Sequence, residues 1–314
     1  MVAKGFATCK YRAVPTRTGT YSIVAVDREA GQIGVAVQTH WFNVGAIVPW
    51  VDGSVGAVAT QANVDVSFGP RGLELLRSGR RPEEAVAELI GADPGGSGRQ
   101  LAIVDASGRV AVHTGDDCIP FAGHEAGEAF SCQANLMASA DVWPAMAAAY
   151  RYAGGPLAGR LLAALDAGQA AGGDVRGRQA AAIEIAALGA EPWERAISLR
   201  VEDHPEPLAE LRRLLAVHTA YQVAEAADWA IGEGEHDRAA RLYEQASEMA
   251  PGNHELLFWA GLGAAQAGQV ELGAKRVRGA IDLHPGWAEL LGRLPESFFP
   301  SVSAVRRSLG IPEP

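Results

Sequence analysis

From Thr20 the chain runs through four short segments rich in β-branched residues, TYSIVAVD, QIGVAVQTHW, AIVPWVD and VGAVATQA, broken only by turn residues. Runs of this kind, bounded by glycine, aspartate and proline, read as successive strands. The break Asp27-Arg28-Glu29-Ala30-Gly31 has the length and the glycine of a hairpin loop. Alanine and glycine inside the runs leave little room for bulky neighbours, so these strands are expected to be packed on both faces. Helix is expected next, with Pro70 near its start, Leu73, Leu75, Leu76 and Val86 along it, and Arg80-Arg81-Pro82 dividing it in two. Pro82-Glu83-Glu84 opens the second half with carboxylates suited to the positive end of a helix dipole.

The pattern then repeats in outline. Gly95-Gly96-Ser97-Gly98 reads as a loop, and RQLAIVDA and GRVAVHTG as a second hairpin around Asp105-Ala106-Ser107-Gly108. FSCQANLMA is either a strand or a loop leading into a helix around Val142–Tyr150. PLAGRLLAALDAGQAAGG is a helix closed by a double glycine, and RQAAAIEIAAL a last strand. Helices grouped on either side of antiparallel hairpins define a layered α+β domain over residues 20–204. Residues 1–19 read as a polar leader with no apolar stretch fit for a signal peptide.

Residues 205–314 have another texture. GEHDRAARLYEQASEMAPG from Gly234 and GQVELGAKRVRGAIDLHPG from Gly268 superpose at an offset of 34 residues, pairing Gly234 with Gly268, Ala240 with Ala274, Ala246 with Ala280, and Pro251-Gly252 with Pro285-Gly286. That is the tetratricopeptide period, so this tail resembles two such helical repeats with a capping helix near Trp287–Leu294.

Composition narrows the function. With 27 Lys+Arg against 37 Asp+Glu the formal charge is −10, which argues against a nucleic-acid partner. The absence of a long apolar run argues against a membrane span, and three widely spaced cysteines, Cys9, Cys118 and Cys132, fit a reducing cytoplasm. Nucleotide, serine-hydrolase and zinc-protease motifs are missing. His113, Cys118, His124 and Cys132 are of metal-ligating type, but their spacing matches no zinc motif, so neither metal nor cofactor is expected.

Gly19-Thr20 carries the strongest chemical signal. If that bond were cut, Thr20 would present its hydroxyl beside its own α-amine, whose ordinary pKa of about 7.7–8.0 lets the neutral form take the hydroxyl proton near neutral pH. One residue would then supply both nucleophile and base.

TYSIVAVD, GQIGVAVQTHWFNVGAIVPWV, GAVATQANVDVSFGPRGLELLRSG, HTGDDCIPFAGHEAG, QANLM and PLAGRLLAALDAGQAAGGDVRGRQAAAI together resemble a bacterial domain family of unknown function, number 1028. The likeness covers roughly residues 20–187. It implies grouping with the N-terminal nucleophile (Ntn) hydrolases and their αββα sandwich. It also implies that Thr20 is the nucleophile, and that His40 and Thr39 polarise or orient it. The Thr60-Gln61-Ala62-Asn63 turn would give an oxyanion hole through backbone N–H groups, Gln61 and Ala62 among them, and Asn135 a side-chain donor to the same oxyanion. Members of that family place the threonine directly after the initiator methionine, whereas here nineteen residues precede it. The expected function is therefore hydrolysis of a small amide or peptide through an acyl-enzyme on Thr20, after removal of residues 1–19, in a protein that associates as a homodimer. The alternative is a non-catalytic scaffold whose helical tail binds a protein or peptide partner, with Lys275, Arg276 and Arg278 clamping its carboxylates.

Overall fold

A computed structural model describes residues 19–297 and 299–312, and the expected leader lies outside the described residues except for Gly19. The chain divides between Arg212 and Arg213 into two compact units.

The first unit opens with β1 (Thr20–Asp27) and β2 (Gln32–Thr39), joined by the expected hairpin. A short 3-10 turn at 44–46 leads to β3 (Pro49–Asp52) and β4 (Gly56–Ala62), then α1 (Phe68–Arg77) and α2 (Pro82–Gly91). The second hairpin follows as β5 (Arg99–Asp105) and β6 (Val110–Thr114), then β7 (Gly123–Gly127) and β8 (Phe130–Asn135). Helices α3 (Val142–Tyr152) and α4 (Leu157–Ala170) precede β9 (Ala180–Ala187) and β10 (Ile197–Val201). The FSCQANLMA segment is thus a strand over its first six residues. The expected turn at Thr60–Asn63 forms only after Ala62, because Thr60, Gln61 and Ala62 are the last residues of β4 and pair with β5.

Every strand pairing is antiparallel, in one sheet of order β10-β9-β2-β1-β8-β7 and a second of order β3-β4-β5-β6. Alternation along each strand sends one set of side chains between the sheets and the other toward helices. Val24, Val26, Ile33, Val35 and Val37 of the six-stranded sheet meet Ala57, Ala59, Ala102 and Val104 of the other. Alanine on the second sheet lets the layers close around the β-branched residues of the first. Each fully buried Val or Ile contributes about 1.5–3 kcal/mol relative to exposure. On the outer faces, α3 and α4 cover the six-stranded sheet and α1 and α2 the four-stranded one. Phe68, Leu73, Leu76, Ala85 and Leu89 of α1 and α2 lock onto Val58, Leu101 and Ile103.

The second unit is helical. It contains most of α5 (Pro207–Gly232), then α6 (His236–Met249), α7 (His254–Gln266), α8 (Val270–Leu283), α9 (Gly286–Arg293) and α10 (Val302–Leu309). The bounds of α8 are those of α6 moved by the expected 34 residues, and the turns before both helices use a left-handed glycine, Gly234 and Gly268. A helix, α9, stands where the capping helix is expected, and α10 adds a further one. Trp229 and Trp259 are not equivalent: Trp229 is largely exposed, whereas Trp259 packs between Phe258 and Phe299. Arg276 is ion-paired with Glu244, and Arg278 donates to the Leu309 carbonyl, so both cations are engaged within the unit. Among the described residues, no helix is long and apolar enough to cross a membrane.

Candidate functional site

Strand register assembles the site. Thr20 lies opposite Thr39 on β2 and opposite Asn135 on β8, so these three side chains form one row across the six-stranded sheet. On the facing sheet, Gln61, Gln100 and Thr114 form a matching row through β4, β5 and β6. Both rows sit at one end of the sandwich, where polar residues replace the valines and alanines of its middle.

The rows are laced together. Gln61 Nε2 and Asn135 Nδ2 donate to the Thr20 carbonyl at 3.3 and 3.4 Å. The same two amides donate to Gln100 Oε1 at 2.7 and 3.0 Å. Gln100 Nε2 donates in turn to Thr114 Oγ1 at 2.8 Å, which lies 2.9 Å from His124 Nδ1. One step deeper, Ser22 Oγ donates to Gln61 Oε1 and accepts from Gln133 Nε2, each at 2.6 Å. Buried amides are costly unless paired, and here each fixes its neighbour's orientation.

The hydroxyl of Thr20 has partners of its own. Thr20 is 2% exposed, and its Oγ1 lies 3.2 Å from Thr39 Oγ1, which itself donates to the Gly19 carbonyl oxygen. A second donor reaches that oxygen: Arg176 Nη2, at 2.9 Å. Arg176 is held by Asp174 through Nε to Oδ1 at 3.0 Å and Nη2 to Oδ2 at 2.7 Å, a two-pronged ion pair. Asp174 is 3% exposed and also accepts the backbone N–H of His40 at 3.0 Å. The buried carboxylate is thus compensated by one cation and by backbone donors, as a charge removed from water requires.

Thr20, Thr39, Gln61 and Asn135 therefore converge, with Gln61 and Asn135 bonded to the carbonyl of Thr20 itself. Ala62 closes β4 in a left-handed conformation, with φ 66°. His40 directs its ring elsewhere: Nδ1 lies 3.3 Å from the Arg178 carbonyl, and its tie to the site is its backbone N–H. Sequence reasoning did not find Asp174 and Arg176. A D-x-R in a glycine-rich loop is an ordinary turn signal, and nothing local marks it as the neighbour of residue 19.

Trp41, Val44, Ile47, Val48, Gln61 and Val64 close around Thr20 and leave a gap too tight to hold a water molecule. On the opposite face of β1, the Tyr21 hydroxyl donates to Gln38 Oε1 and lies 3.2 Å from Gln169 Oε1. Burial, together with the charges of Asp166 and Asp174, pushes its phenol well above the ordinary value. The four residues of metal-ligating type do not gather at one point. His113 Nε2 lies 2.9 Å from the Gly96 carbonyl, Cys118 faces the Arg99 carbonyl, His124 contacts Thr114, and Cys132 is buried beneath the helices. Among the described residues, no group of three or more His, Cys, Asp or Glu is placed to hold a metal. Burial, and then the neighbouring His113, hold the His124 imidazole below its ordinary pKa.

Fold and site together define an α+β protein of two antiparallel sheets with a buried hydroxyl and amide network at one end of their interface. The chain belongs to the family described as "Family of unknown function (DUF1028)", whose model matches residues 20–211. The crystal structure of a Silicibacter pomeroyi protein assigned to the same family is 32% identical, with a TM-score of 0.58 over 63% of this chain and 88% of that one. No curated protein matches the sequence.

Proposed function

We propose that the first unit is an amide-bond hydrolase of the N-terminal nucleophile type, built on an αββα sandwich, with Thr20 as nucleophile. The observation that carries this reading is the environment of the Gly19 carbonyl. Its oxygen accepts from Thr39 Oγ1 and Arg176 Nη2, while the hydroxyl of the next residue stands one hydroxyl away.

That arrangement suits cleavage of the Gly19–Thr20 bond by the chain itself. Thr20 Oγ1 attacks the Gly19 carbonyl carbon, and its proton passes through the Thr39 hydroxyl toward the developing oxyanion. Arg176 stabilises the negative charge on that oxygen. Collapse breaks the C–N bond, the proton moves to the departing nitrogen, and Gly19 is left as an ester on Oγ1. Water then releases Gly19 as a carboxylate, leaving Thr20 with a free hydroxyl and a free α-amine.

The freed site runs the same chemistry on a substrate amide. The neutral α-amine takes the Oγ1 proton as Oγ1 attacks the substrate carbonyl, whose oxygen occupies the place vacated by that of Gly19. The resulting ammonium gives that proton to the departing amine as the C–N bond breaks, and water hydrolyses the ester left on Oγ1. Gln61 and Asn135 hold the Thr20 backbone at its carbonyl and act as positioning residues.

Intact-mass analysis of the full chain tests the reading. Wild-type protein is expected to lose residues 1–19 and begin Thr-Tyr-Ser, while Thr20→Ala keeps its full mass. Retention of the leader by the wild type after prolonged incubation, with no amidase activity against a panel of N-acyl amides, sinks the proposal.

A further inference from the structure

The helical unit holds a cleft of about 730 Å3 whose chemistry differs from that of the Thr20 site. Among the described residues, four that line it are aromatic: Tyr221, Tyr243, Trp259 and Phe299. Three more of these described residues are carboxylates, Glu225, Asp228 and Glu255, and none of them is basic. Its volume lies within the usual range for a small-molecule pocket.

The carboxylates are set in place. The Tyr221 hydroxyl donates to Glu255 Oε2 at 2.6 Å, and the Tyr243 hydroxyl to Asp228 Oδ1 at 2.5 Å. Each bond uses one oxygen and leaves the other for a ligand. The rings of Tyr243, Phe299 and Trp259 adjoin one another, with centroids 6.3 and 5.9 Å apart. Of the three, Trp259 is the one half-exposed toward the cleft's opening to solvent, while Tyr243 and Phe299 are buried in its floor. Burial, and then the bonded carboxylates, push both tyrosine hydroxyls above their ordinary pKa, so they remain neutral donors.

We propose that this cleft binds an organic cation, a guanidinium group carried on a short apolar stem. An anion would face three carboxylates without a compensating charge. A neutral apolar ligand would strip water from those carboxylates and return nothing to them. A cation satisfies both surfaces, pairing with carboxylate oxygens while its face or stem lies on the rings. A bare metal ion fits less well, since these carboxylates are not grouped in a ligating arrangement and the rings offer a metal nothing. The site is independent of the hydrolase reading, because every lining residue belongs to the second unit.

The cation has two chemical sources, a free alkylguanidine or an arginine side chain of a peptide. Calorimetric titration of the full-length protein with butylguanidine and with N-acetyl-arginine methylamide separates them, and N-acetyl-norleucine methylamide serves as the neutral control. At least one cationic probe is expected to bind about tenfold more tightly than the control, and to weaken as salt rises. Equal affinity for the two cations assigns a free small molecule, and preference for the arginine derivative assigns a peptide. Glu225→Gln, at an exposed position, is expected to weaken the cation about threefold to tenfold with an unchanged circular dichroism spectrum, and Glu255→Gln to do the same. Equal binding of the norleucine control, or no cation binding below about 10 mM, overturns the assignment.

Discussion

A Cβ built on Gly19 would stand 2.8 Å from Oδ2 of Asp174 and 2.9 Å from its other carboxylate oxygen. Residue 19 is packed directly against the group that holds Arg176, with no space for a side chain. Gly19→Ala is therefore expected to push Asp174 aside and draw Arg176 off the Gly19 carbonyl. Leader release should slow by about tenfold or more, since the oxyanion loses a charged donor. A time course of intact mass reads this directly, and an unchanged rate would mean that the ion pair plays no part.

Arg176→Gln and Thr39→Val remove the two donors separately. Loss of one preorganised oxyanion donor typically costs about 10²–10³ in rate. Thr39→Val is expected to be the more severe, because it also breaks the hydroxyl path from Thr20 Oγ1 to the Gly19 oxygen. Thr39→Ser should restore most of the rate. Rescue by serine but not by valine distinguishes a working hydroxyl from a packing role.

Gln100 joins both rows of the site, accepting from Gln61 and Asn135 and donating to Thr114. Gln100→Leu leaves those amides short of an acceptor in a buried layer. The expected loss is about 1–3 kcal/mol of unfolding free energy for each orphaned group. Chemical denaturation of the Thr20→Ala background measures it free of processing. A loss below about 0.5 kcal/mol would mean that water replaces the glutamine.

The juxtaposition of Thr20 and Thr39 was legible, because a hairpin across Asp27–Gly31 brings Thr20 opposite Thr39 once its register is set. The polar row could be read in part, since Gln133 and Asn135 alternate as a strand with one polar face must. Two strands escaped. GHEAG contains no β-branched residue and forms an edge strand with half-exposed side chains, so neither propensity nor burial marks it. ISLRV, at the other edge, takes its place by pairing with β9. Asp174 and Arg176 were invisible for a different reason, as their role depends on contact with a residue about 155 positions away and leaves no local pattern.

Asp105 makes one source of acid sensitivity predictable. Burial alone would raise its pKa, but the Ser107 hydroxyl and the Arg109 guanidinium and backbone outweigh that and hold it below the ordinary carboxylate value. Because the folded pKa is the lower one, the carboxylate's stabilisation is complete above the unfolded value near 3.9 and is lost as pH falls through the folded value. Asp105→Asn is expected to cost about 1 kcal/mol at pH 7 through the broken Arg109 pair, and to flatten the fall in Tm below about pH 4. Thermal melts from pH 7 to pH 2.5 decide it, and parallel curves for the two proteins would remove Asp105 as a contributor.

The helical unit rests on a backbone-to-backbone approach that sequence periodicity alone does not show. A Cβ on Gly273 of α8 would stand 2.5 Å from the Gly261 carbonyl oxygen of α7, and one on Gly261 would stand 2.8 Å from the Gly273 carbonyl oxygen. Neither obstacle is a flexible side chain that can swing away. Gly273→Ala must therefore drive the two helices apart, disturbing Val277 and the aromatic cluster of Phe258, Trp259 and Phe299. Overpacking of this kind costs about 1–3 kcal/mol, more than alanine's advantage in helix propensity of roughly 1 kcal/mol returns. Gly292→Ala, where a Cβ meets open space within α9, is the matched control and is expected to be neutral or stabilising. Hydrogen exchange over 254–283 should show faster opening in Gly273→Ala and not in Gly292→Ala. Equal protection in both variants would mean that the helices part without cost, and that small residues at this crossing are not what holds the unit together.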